Sequence, residues 1–110
     1  MAKNILKDII VEQNKEITVE SIQKIIANHF QIKTSDLKSS KRLKNLVLPR
    51  QIAMYISRKL TSASYPEIGS KFGGKDHSTI IYAIKKIEKN MTEDLQLRST
   101  VEKLINSIKP

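Results

Sequence analysis

Apolar residues recur at three- and four-residue intervals along most of this chain, and no stretch alternates apolar with polar residues long enough to argue for a strand. Val19, Ile22, Ile25, Ile26, His29 and Phe30 form one helical stripe behind Thr18, whose hydroxyl suits an N-cap. A shorter set, Ile5, Leu6, Ile9 and Ile10, predicts a lead-in helix, separated from the first stripe by the polar run Glu12 to Lys15. Thr34, Ser35 and Asp36 offer a cap for one helical turn around Leu37. Pro49 is expected in the first turn of a longer helix whose inner face is Ile52, Ala53, Ile56 and Leu60, ending at Thr61. Ser64 followed by Glu67 reads as a capping box, with Pro66 in the first turn and Ile68 and Phe72 facing inward over about two turns. Gly73 and Gly74 supply the positive φ that ends a helix, and Asp76 is placed to cap the next, with Ile80, Ile84, Ile87 and Met91 buried. A last helix follows Thr92, with Leu95, Leu97, Val101, Leu104, Ile105 and Ile108 as its apolar face. The expected fold class is all-α.

At 110 residues and 39% hydrophobic content, the chain supports one compact core. It has no cysteine and two histidines, which excludes a disulfide framework, thiolate chemistry and a histidine-rich metal site. No uninterrupted apolar run approaches the ~20 residues of a membrane span, and no signal peptide is visible, so a cytoplasmic protein is expected. Charge changes the picture most. The net charge is +9, and residues 37–75 hold nine of the twenty Lys and Arg against a single acid, Glu67. Solubility alone accounts for many lysine-rich surfaces, but charge gathered on one segment with near-neutral flanks is the footprint of a protein that displaces counterions from a polyanion. The arrangement strengthens this. A helix from Ser64, a Gly-Gly turn and a polar helix start of Lys75, Asp76, His77, Ser78 and Thr79 follow the helix-turn-helix plan, whose second helix sets its first residues against base edges.

Three segments carry a resemblance: Leu48-Pro49-Arg50-Gln51-Ile52-Ala53-Met54-Tyr55, Tyr65-Pro66-Glu67-Ile68-Gly69, and Phe72-Gly73-Gly74-Lys75-Asp76-His77-Ser78-Thr79. Over about residues 18–110 the chain resembles the C-terminal domain of bacterial replication initiators of the DnaA family. The resemblance implies a Trp repressor-like helical bundle over residues 15–110, preceded at residues 1–14 by a connector helix from an AAA+ module that this chain lacks. It further implies that ATP, ADP and Mg belong to that absent module. No Gly-x-x-x-x-Gly-Lys-Ser/Thr loop occurs here, so no cofactor is expected.

Members of that family bind double-stranded DNA as monomers at a DnaA box, TTATCCACA or a near variant, at the replication origin, so a nucleoid-associated protein with no small-molecule substrate is expected. By the same likeness Asp76, His77, Ser78 and Thr79 enter the major groove, where a carboxylate accepts from a cytosine amino group and hydroxyls and imidazole pair with base edges. Tyr65 and Pro66 match a pair that touches bases or thymine methyls. Arg42 aligns with a minor-groove arginine, flanked by Lys41 and Lys44 in a basic loop suited to a narrow A·T groove. Arg50, Gln51, Arg58 and Lys75 are expected, with Lys41 and Lys44, at phosphates, which fix register without reading sequence. Three positions depart from the usual pattern. Ser78 replaces threonine and loses a methyl, Tyr65 replaces leucine, and Lys75 replaces arginine and its bidentate fork.

Plainer readings compete at several residues. Asp76, His77 and Ser78 are not a catalytic triad, because helical neighbours point about 100° apart; capping and base contact are both expected of Asp76. His29 is expected to be a packed or boundary residue rather than a ligand. Tyr82, one turn past Ser78, suits either a DNA face or a core edge. Lys85, Lys86 and Lys89 are expected on a solvated face. The alternative function is a protein-interaction or acidic-phospholipid-binding module, resting on Lys3, Lys7 and the isoleucines beside them. An enzyme is not expected, since no paired carboxylates or nucleophile-base pair occur at workable spacing.

Overall fold

The computed structural model describes residues 17–109; the expected connector helix over 1–14 and the Lys3 and Lys7 face lie outside them. Among the described residues there are six helices and no strand: α1 (Val19–His29), α2 (Thr34–Lys38), α3 (Lys44–Leu60), α4 (Tyr65–Lys71), α5 (His77–Glu93) and α6 (Leu95–Ile108). Thr18 and Ser21 cap α1 reciprocally, each hydroxyl accepting from the other's backbone N–H at 3.1 and 3.0 Å. Ser64 caps α4 through Glu67 N at 3.2 Å, and Asp94 caps α6 by accepting from Gln96 N and Leu97 N.

The longest helices, α3 and α5, run through the core, and α1, α4 and α6 pack around them. Ile22, Ile26, Leu37, Ile52, Ile56, Ile68, Phe72, Ile80, Ile87 and Val101 are fully buried, so the inner faces expected for each helix converge on one core. Gln23 is buried with them and donates to the Lys71 carbonyl at 3.0 Å, which satisfies a terminal acceptor of α4.

Four local expectations change. Helix α3 begins at Lys44, so Pro49 lies past its first turn; the proline removes the bond that would reach the Asn45 carbonyl, and Asn45 is exposed, where water can serve it. The cap of α2 is inverted: Lys33 is the N-cap residue and its N–H donates to the Asp36 carboxylate at 3.0 Å. His29 is exposed, edge-on to Phe30, rather than packed. Leu95, expected inward, is 76% exposed because it opens α6 directly after the Asp94 cap.

The turn between α4 and α5 sets the site. Gly73 has φ +87°, and a Cβ there would lie 2.1 Å from the Lys38 carbonyl oxygen at the end of α2. Gly69, inside α4, allows the Lys75 carbonyl to approach where a Cβ would stand at 2.1 Å. Lys75 N donates to the Gly69 carbonyl at 2.8 Å, closing the turn.

Candidate nucleic-acid interface

Helix α5 presents its first turn to solvent: Asp76, His77, Ser78 and Thr79 are all exposed, while Ile80 beneath them is buried. Asp76 occupies the N-cap position, yet its carboxylate takes the Ser78 hydroxyl rather than a backbone amide. That hydrogen bond is the main cause that holds the Asp76 carboxyl below the usual carboxylate range, so it is ionised and acceptor-only at neutral pH. The Ser78 proton is thereby committed, leaving its oxygen as an outward acceptor. His77 Nδ1 lies 3.4 Å from Asp76 Oδ1, and the ring is exposed. The tip of the helix thus offers an ionised carboxylate beside exposed hydroxyl and imidazole groups, the kinds of group that pair with base edges.

Ser39 to Leu43 connect α2 to α3 as a basic loop. Lys41, Arg42 and Lys44 are exposed, and Lys41 N donates to Ser39 Oγ at 2.9 Å. Lys44 opens α3, whose first turn contains no acid, so its charge sits unfavourably at the positive end of the helix dipole. Arg50 is placed differently from the phosphate contact expected of it. It is 7% exposed, and its guanidinium donates to the carbonyls of Asp36 and Lys41, each at 3.0 Å. The physical reason is its position on the inner face of α3, beneath the loop, where burial lowers its pKa from the ordinary arginine range. Lys75 also turns inward: Nζ donates to the carbonyls of Phe72 at 2.6 Å, Ser39 at 3.1 Å and Lys38 at 3.4 Å. Burial, reinforced by the neighbouring Arg50 charge, lowers the Lys75 pKa.

Between the loop and α5 runs a groove of about 400 Å³, with Arg42, Gln51, Asp76, Thr79 and Tyr82 along it and Arg50 and Lys75 also in its lining. Tyr82 is 61% exposed, which resolves its two readings in favour of the outward face. On the other flank of α5 a smaller groove gathers Arg58, Tyr65, Ile81 and Lys85. There the Arg58 guanidinium stacks over the Tyr65 ring at 4.3 Å and donates to the Ala63 carbonyl at 2.8 Å. Tyr65 is half-buried against the core and Pro66 is exposed at the start of α4. The structure therefore gathers Arg42, Arg50, Gln51, Lys75, Asp76 and Thr79 on one flank of α5 and Arg58 and Tyr65 on the other, with His77 and Ser78 exposed in its first turn. Sequence reasoning left Ser40, Val47 and Ala83 of the groove unmarked, and none carries a local signal; Tyr82 carried one, its position one turn past Ser78.

Among the described residues no three or more His, Asp or Glu side chains gather to hold a metal ion, and no helix is long and apolar enough to cross a membrane. Residues 19–87 match the family model described as the bacterial dnaA protein helix-turn-helix. The chain is 69% identical over 104 residues to the chromosomal replication initiator protein DnaA of Geotalea daltonii, and 62% identical over 104 residues to that of Geobacter sulfurreducens. In both cases the match covers 94% of this chain and 23% of the relative, so the chain spans about a quarter of their length. A solved structure described as a DNA replication initiation factor superposes with a TM-score of 0.75 at 32% identity, covering 96% of this chain and 32% of that one.

Proposed function

The chain belongs to the bacterial DnaA helix-turn-helix family, and from that premise we propose that it binds double-stranded DNA at DnaA boxes, TTATCCACA or a near variant, in the initiation of chromosomal replication in the cytoplasm. The observation that carries the proposal is the pairing of two unlike elements across one groove: a polar helix tip at Asp76 to Thr79 and a cationic loop at Lys41 to Lys44. The helix tip reads base edges in the major groove, and Arg42 enters the adjacent minor groove, where a narrow A·T-rich segment concentrates negative potential. Because both elements belong to one chain, one copy covers one box. Gln51, along the groove, and Lys41 and Lys44, beside Arg42, take the intervening phosphates, and Arg58 takes a phosphate on the other flank, with Tyr65 and Pro66 supplying apolar contact to bases there. This is a binding activity; nucleotide chemistry belongs to the module that relatives carry elsewhere.

Base-pair replacement separates the grooves. An inosine·cytosine pair keeps the minor-groove face of A·T and presents the major-groove face of G·C. Within the A·T-rich half, positions read by Arg42 are expected to tolerate inosine·cytosine and reject G·C, whereas positions read by the helix tip reject both. Equal tolerance of all three pairs in a competition assay would remove the groove assignment.

A further inference from the structure

We propose that Lys75 and Arg50 are positioning residues that lock the Arg42 loop against the recognition helix, so that minor-groove reading depends on a lysine belonging to the helix-turn-helix. This rests on the DNA-binding reading above.

The argument begins with what the two cations have left to give. An ammonium has three donors, and those of Lys75 are directed at three carbonyls, Phe72, Ser39 and Lys38. Two of the three belong to the end of α2, the negative end of its dipole, and the third belongs to the turn. Arg50 reaches the same loop from below, binding the Asp36 carbonyl before it and the Lys41 carbonyl within it. Arg42 is the residue after Lys41, so its backbone is held on its N-terminal side by Arg50 while its side chain stays exposed. A third contact is independent of charge: the backbone of Gly73 meets the Lys38 carbonyl with no room for a Cβ. On its other side Lys75 is fixed to α4 through the Gly69 carbonyl at 2.8 Å. A continuous path of hydrogen bonds thus runs from α4 through Lys75 to the loop that carries Arg42. With its three donors taken by carbonyls, Lys75 has none left for a direct hydrogen bond to a phosphate oxygen, and the carbonyl oxygens around it and Arg50 offset the repulsion between the two charges.

The test compares box duplexes in which A·T pairs of the A·T-rich half, or C·G pairs read by the helix tip, are replaced singly, at ~150 mM salt, with the wild type, Lys75→Met, Arg42→Ala and the double variant. Wild type is expected to lose about tenfold in affinity or more on G·C replacement in the A·T-rich half. In Lys75→Met that ratio is expected to fall below about threefold, as in Arg42→Ala, while the penalty at C·G positions stays at its wild-type value. The double variant is expected to add little to either single change, because both act through one contact. Lys75→Arg, which keeps the charge and the donors, is expected to restore the ratio.

Uniform weakening on every duplex, with both penalties intact and additivity with Arg42→Ala, would mean a phosphate contact and overturn the proposal. Loss of both penalties in a variant that melts normally would overturn it too, since Lys75 would then hold the whole site. Should Lys75→Met not melt cooperatively, the same panel is read on Lys75→Gln, which retains donors without charge. A wild type that binds all duplexes alike would instead sink the DnaA-box reading, and the clamp with it.

Discussion

Arg50 shows how far a residue's type determines its task. Its place beside Pro49 and Gln51 on a basic segment pointed to phosphate, but on the inner face of α3 its fork meets two carbonyls and leaves the surface. Arg50→Lys is expected to cost about 1–2 kcal/mol in urea unfolding, because a point charge cannot span both acceptors. An exposed phosphate contact would instead show no change in stability. The exposure of Asp76, His77 and Ser78 was legible in the sequence because adjacent polar residues at a helix start have nowhere to go but outward. What was not legible is the pairing among them: the Ser78 hydroxyl chooses the Asp76 carboxylate over solvent, which turns a residue expected to cap its helix into an acceptor facing out. No spacing rule distinguishes those two hydrogen bonds, since both lie within two or three residues.

Helices were legible wherever an apolar stripe and a cap agreed, as at Thr18 and Val19 or Ser64 and Ile68. The boundary of α3 was not, because Pro49 satisfies the rule for a first turn equally well when the helix starts at Lys44 and an exposed Asn45 carbonyl absorbs the lost bond. The close crossing of α4 and α5 was also hidden, since a helical glycine reads as a weakness until its neighbour is known. Gly69→Ala tests that crossing: intrinsic propensity favours alanine by about 1 kcal/mol, but the Cβ would stand 2.1 Å from the Lys75 carbonyl, so net destabilisation is expected in a denaturant titration. A stabilised variant would mean that the turn is not packed on α4 as described. At the junction of α5 and α6, Asp94→Ala is expected to cost about 1 kcal/mol by releasing two amides, while leaving DNA affinity unchanged.

For the molecule as a whole, the uneven charge of residues 37–75 reflects three elements, the loop, α3 and the turn, that the core brings alongside the start of α5. With the cations Lys41, Lys44 and Arg58 at phosphates, log affinity for a box is expected to fall against log salt with a slope of about −3; a flat dependence would contradict the electrostatic part of the account. The central claim is sequence-specific reading, and fluorescence anisotropy at ~150 mM salt on a duplex carrying TTATCCACA and on a scrambled duplex of equal composition tests it most directly. A preference for the box of about a hundredfold or more, abolished by His77→Ala with helicity intact, is the expected result. Equal affinity for both duplexes, or a preference indifferent to His77, would contradict it.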